Sequence, residues 1–158
     1  MKFLESLSQT ELQQLEDAIP QIAILIAGAD GSIDKEERQW ANKLAHIRTY
    51  AGDKVLHDFY QEVHFNFSIR FNDMLKTLPT TVSERQQILS DNLAHLNGLL
   101  AKLDPRVAFH VYKSITSYAK SVAEETGGFF RMGAISKEEK KWIDLPMITP
   151  IEEPKIEE

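Results

Sequence analysis

The chain has 158 residues, enough for one domain to remove roughly two-thirds of its unfolded surface from water, and its 42% hydrophobic and 27% charged residues exclude wholesale disorder and collagen-like repetition. With no cysteine, thiol catalysis, Cys-ligated zinc, iron–sulfur clusters and a disulfide scaffold all fall away, which suits a reducing cytoplasm. A balance of 18 basic against 24 acidic residues, −6 formally, argues against neutralising a phosphate backbone, so nucleic acid is not an expected partner.

The apolar positions are spaced for helices. Leu12, Leu15, Ile19, Ile22 and Ile26 step by three or four, one face of a 3.6-residue helix, opened by a capping-box pattern of Ser8 and Glu11. Pro20 predicts a kink or break near Ala18 and Ile19. A second helix follows Asp34, with Trp40, Leu44, Ile47 and Ala51 on one face and Gly52 as its stop. From 53 to 78 a long stripe runs through Val55, Phe59, Val63, Phe67, Phe71, Met74 and Leu78, ended by Pro79.

Ser83 and Gln86 carry a second capping-box pattern, after which Leu89, Leu93, Leu96, Leu100 and Leu103 form the seam of an antiparallel helix pair, with Gly98 allowing close approach. Asp104 and Pro105 start another helix as N-cap and first residue, carrying Ala108, Val111, Ile115, Tyr118 and Val122. Gly127 and Gly128 close it, and Gly127 to Met132 read as an apolar loop, either tucked beneath the bundle, the favoured reading, or exposed as a contact patch. A short helix from Ser136 ends before Pro146. The expectation is an all-α compact bundle of six to seven helices over 1–145, with a Pro- and Glu-rich solvated tail over 146–158. The tail carries half the net charge, since 152–158 holds four Glu and one Lys.

Residues 31–40, GSIDKEERQW, align without a gap on 133–142, GAISKEEKKW, which points to an internal two-fold repeat. In both, a turn glycine leads to an isoleucine, an N-cap residue, two acids and a tryptophan. Asp34 with Glu37 and Ser136 with Glu139 fit the N-cap and N3 positions of capping boxes, which explains those acids structurally. Capping leaves Asp30 unexplained. Asp30, Asp34 and Glu37 offer three carboxylates at one loop–helix junction, the oxygen ligands that a hard divalent cation such as Ca²⁺, Mg²⁺ or Mn²⁺ takes, with the Ser32 carbonyl as an addition. The segment matches the second half of an EF-hand loop. The first half fails, because Ile26 and Gly28 stand where carboxylates belong. In the second copy Met132 and Ser136 replace Asp30 and Asp34, so any metal belongs to the first.

A hydrophobic helix running into Ala29-Asp30-Gly31-Ser32-Ile33-Asp34-Lys35-Glu36-Glu37 resembles the hallmark of TerB-like proteins, the family named for bacterial tellurite resistance. The resemblance implies a helical bundle of two similar halves, cytoplasmic and bacterial, associated with tellurite resistance and stress response. It also implies metal-binding acids at Asp30, Asp34 and Glu37. The expected function is a non-enzymatic module acting through a protein partner, with homo-oligomer formation open. A small metal-dependent enzyme with its site between the halves and a purely structural interaction domain fit the same residues.

Elsewhere no strong chemistry stands out. Of the five histidines, His57 and His95 lie four residues after Asp53 and Asp91, spacings at which a carboxylate orients an imidazole on one helix face. Neither Glu-x-x-His nor HExxH occurs, so solvated or partner-capped histidines are expected. In the aromatic and basic cluster His64, Phe65, Phe67, Arg70 and Phe71, Phe67 and Phe71 belong to the core stripe, and the net negative charge argues against nucleic acid. The longest apolar run, 22–29, is far below the roughly 20 residues that span a bilayer, and the first residues lack a signal-peptide layout, so a protein without direct membrane insertion is expected.

Overall fold

A computed structural model describes residues 4–29, 31, 33–49, 51–131 and 137–156, with the backbone alone for 126–131. Six helices build the bundle: α1 Gln9–Ala27, α2 Lys35–Ile47, α3 His57–Thr77 preceded by a 3-10 turn Lys54–Leu56, α4 Val82–Ala94, α5 Leu96–Leu100 and α6 Pro105–Arg131, followed by a single helical turn, α7, Lys137–Lys140. No strand occurs among the described residues. No described helix is long and apolar enough to cross a membrane.

α1 is the axis, packing against each of α2 to α6. From Ala18 to Ala27 every residue but Gln21 is buried, the mark of a helix surrounded on all sides. Its N-terminus carries the full capping box, Ser8 Oγ accepting from Glu11 N and Glu11 Oε1 from Ser8 N, both at 3.1 Å. The expected break at Pro20 is absent, and the helix runs through it. A proline inside a helix costs about 3 kcal/mol. Burying Ile22, Ile24, Leu25 and Ile26 returns about 1.5–3 kcal/mol for each side chain, so packing outweighs the lost bond.

α2 ends at Ile47, a turn before Gly52, where the Thr49 hydroxyl donates to His46 O at 2.8 Å. Its buried face is Ala41, Leu44 and Ala45, while Trp40 and Ile47 are half-buried and Ala51 is exposed. Two alanines let α6 approach closely enough for the buried Tyr118 hydroxyl to donate to Ala41 O at 2.8 Å. In α3, Phe59, Val63, Phe67 and Phe71 are buried as the spacing requires. Val55 lies outside that helix, in the 3-10 turn, and is 41% exposed.

The leucine seam from Leu89 to Leu103 is buried throughout, though the chain divides it between α4 and α5. Two local expectations there fail. α4 begins at Val82 with Thr81 as N-cap, which puts Ser83 inside the first turn and removes its capping box. Gly98 is exposed, with nothing near the place a Cβ would occupy. Asp104 does cap α6, its Oδ1 accepting from Arg106 N at 3.0 Å. That helix continues through Gly127 and Gly128 to Arg131, so the expected loop is helical in its backbone up to there. A glycine costs a helix only about 1 kcal/mol, which long flanking turns absorb. Met132 and Ser136 lie outside the described residues.

The stretch after the last helical turn is not a free tail. Leu145 and Ile148 are buried, and Met147 and Ile151 pack against the core. The Asn97 amide clasps it, Nδ2 donating to Met147 O at 2.9 Å and Oδ1 accepting from Thr149 N at 2.8 Å.

Candidate functional site

Of the three carboxylates singled out above, Asp34 is exposed and caps α2, its Oδ1 accepting from Glu37 N at 2.8 Å. Glu37 is half-buried at N3, so both stand at one helix start. Asp30 and Ser32 lie outside the described residues. Gly31 between them has φ +130°, a conformation closed to other side chains, which explains the turn glycine. In the second copy, α7 is a single turn against the 13 residues of α2. There Glu139 is buried, and the Trp142 indole N–H has no hydrogen-bond partner among the described residues.

Beneath the first turn lies a group that apolar spacing passes over. Arg85, only 7% exposed, reaches from α4 and donates through Nη2 to Gly28 O at 2.7 Å and Gly31 O at 3.1 Å. It adds a second donor to Gly28 O, which also accepts from Gly31 N at 3.1 Å, and places a positive charge just past the end of α1, which suits a helix C-terminus. Burial lowers its pKa from the ordinary arginine value, against a background high enough to leave it charged. Gly28 is required by this contact, since a Cβ would lie 2.6 Å from Ile24 O and 2.9 Å from Arg85 Nη2. The signal was positional. Arg85 sits four residues before Leu89, on the buried stripe where a charge is out of place.

The guanidinium engages the Gly28 and Gly31 carbonyls of this turn. Among the described residues, no three histidines or acids cluster closely enough to hold a metal ion. Asp34 and Glu37 alone do not make a cation cage. A cation at this turn therefore depends on Asp30 joining them.

At the other end of α2 a cleft of about 490 Å³ opens toward α6. Arg48, the C-cap of α2, lies half-buried with its guanidinium carbon 6.0 Å from the Tyr60 ring and 5.5 Å from the Tyr118 ring, and donates to Ser117 Oγ at 3.0 Å. Tyr60 shares a hydrogen bond with Ser114 Oγ. Burial pushes both tyrosine hydroxyls above their ordinary pKa, so they remain protonated. Asp53 accepts from Val55 N at 3.0 Å and pairs with His110 Nδ1. Asp53 does not pair with His57 four residues on, because the 3-10 turn uses Asp53 as its cap and leaves His57 Nε2 at Gly52 O, 3.0 Å away. Asp91 likewise accepts from Gln87 Nε2 at 2.8 Å rather than pairing with His95. His64 instead meets His46 ring to ring at 4.1 Å, with Nδ1 3.1 Å from Asn42 Oδ1, and burial followed by the neighbouring imidazole lowers its pKa.

No protein-family model, curated protein or solved structure matches the chain.

Proposed function

We propose that the chain is a TerB-like interaction module of two related halves, without a reaction of its own, acting through a protein partner in a cytoplasmic tellurite- or stress-response system. The observation that carries this reading is the rigid base under the α1–α2 turn. Arg85 fixes the backbone at Gly28 and Gly31, and Asp34 fixes the start of α2, so the acidic face beside them is held in one shape before a partner arrives. Preorganisation of that kind lowers the ordering cost of association. The resemblance in residues 29–37 and the gapless match of 31–40 to 133–142 supply the family and the two halves.

In this reading a divalent cation, Ca²⁺, Mg²⁺ or Mn²⁺, is held by Asp30, Asp34 and Glu37. Asp34 Oδ1 is already committed to Glu37 N, which leaves few free carboxylate oxygens. Binding is therefore weak, in the range of roughly 10⁻⁴–10⁻³ M found where ligand charge is low. Calorimetric titration of the three cations into wild type and Asp30→Asn tests this. Weak heat lost in the variant supports it, and a silent wild type removes the cation. A pull-down comparing wild type with Asp34→Lys tests the partner face. Equal capture by both places the interaction elsewhere.

A further inference from the structure

We propose that the cleft between the end of α2 and α6 binds a small phosphomonoester, with the phosphate held by Arg48, Lys113 and the hydroxyls of Ser114 and Ser117. This site is distinct from the α1–α2 turn and does not depend on its reading. The cleft's 490 Å³ falls within the roughly 300–1,000 Å³ typical of small-molecule pockets. Lys113, Ser114 and Ser117 occupy one side of α6, and all three line the cleft with Arg48.

Charge selects an anion. Among the described residues, neither Arg48 nor Lys113 forms an ion pair, although acids outnumber bases in the chain. The Arg48 guanidinium carbon lies 6.0 Å from the centre of the Tyr60 ring and 5.5 Å from that of Tyr118, and Nη2 donates to Ser117 Oγ. A guanidinium carries five N–H donors in a fork that matches phosphate, so donors remain for an oxyanion. Ser117 Oγ accepts from Arg48, so its own proton is available to donate. The Ser114 hydroxyl, bonded to the protonated Tyr60, can accept from the phenol and donate onward.

Two carboxylates also line the cleft. Asp53 is engaged by His110 and by Val55 N, and Glu153 is the carboxylate at the rim. Phe109 and Ala51 supply an apolar wall, which favours an organic phosphate over the bare ion. Among the described residues, neither serine hydroxyl is hydrogen-bonded to His110, so nothing activates a nucleophile and the arrangement binds rather than hydrolyses.

The test titrates inorganic phosphate and phenyl phosphate into the full chain by calorimetry, with thermal melts confirming that each variant folds. Phenyl phosphate is expected to bind one per chain and more tightly than inorganic phosphate. Lys113→Gln and Arg48→Lys should each weaken it about tenfold or more, the value of one charge-assisted hydrogen bond. Glu153→Gln should tighten it roughly two- to fivefold, as removal of a rim repulsion does. No binding to wild type at millimolar probe overturns the proposal. So does equal affinity in folded Lys113→Gln and Arg48→Lys, weaker binding by Glu153→Gln, or phenyl phosphate binding no better than inorganic phosphate.

Discussion

One arginine stands at the turn before α2 and another at its C-cap, and the two are held in opposite ways. Arg85 comes from another helix, is buried, and directs its donors at the backbone carbonyls of Gly28 and Gly31. Arg48 is the C-cap of α2 itself, is half-buried, and lies near the Tyr60 and Tyr118 rings while donating to the Ser117 hydroxyl. An arginine whose donors end on main chain is part of the fold. One that lines a cleft and donates to a hydroxyl there keeps further donors for a ligand.

The difference can be broken by mutation, most severely at Arg85. Arg85→Met takes the donor from Gly31 O and leaves Gly28 O with only its bond from Gly31 N, and is expected to cost about 2–3 kcal/mol, read by urea denaturation; a loss below about 1 kcal/mol would mean that water replaces the guanidinium. Gly28→Ala attacks the same contact from the other side by forcing a Cβ against Ile24 O and Arg85, with an expected loss of about 1–3 kcal/mol in the same assay. Arg48→Gln should cost only about 1 kcal/mol, because it removes one hydrogen bond and exposed-type cation–π contacts. If it proves as damaging as Arg85→Met, the contrast between the two arginines collapses.

The smallest effect concerns the contact of α3 with the last turn of α2, where His64 meets His46. The folded-state pKa of His64 is lowered, by burial and then by His46, so the unfolded chain binds the proton more readily. Stability from this pair is therefore full above the ordinary histidine value of 6.5 and declines as pH falls below it. His64→Gln should flatten that decline in melts from pH 7.5 to 5, roughly the histidine range, while the arginine contacts at the two ends are untouched.

How much was legible depended on whether a contact was local. The stripes of α1, α3 and the leucine seam were visible because burial repeats every three or four residues, and the Ser8, Asp34 and Asp104 caps because their partners lie two or three residues on. Leu145, Ile148 and Ile151 also carried a spacing of three, hidden by the prolines around them. Asp53 misled because a histidine stood four residues away, while its actual partner lay at 110. The cleft joins residues near 48 and 114, a closure that only the packing of α2 on α6 creates, so its members looked like unrelated surface groups in the chain. Arg85 was the readable exception, a charge on an apolar stripe.

The continuity of α1 through Pro20 has a consequence in time as well as in space. A helix enclosed by five others cannot swing out while the rest stays folded, so its amides from Ile22 to Ala27 exchange with solvent only when the whole bundle opens. Those amides should be the slowest in the molecule to take up deuterium, and their common rate would report its global unfolding. The start of α2, exposed and resting on a single cap, should exchange far sooner, so the clock at the centre and the face offered to partners run independently.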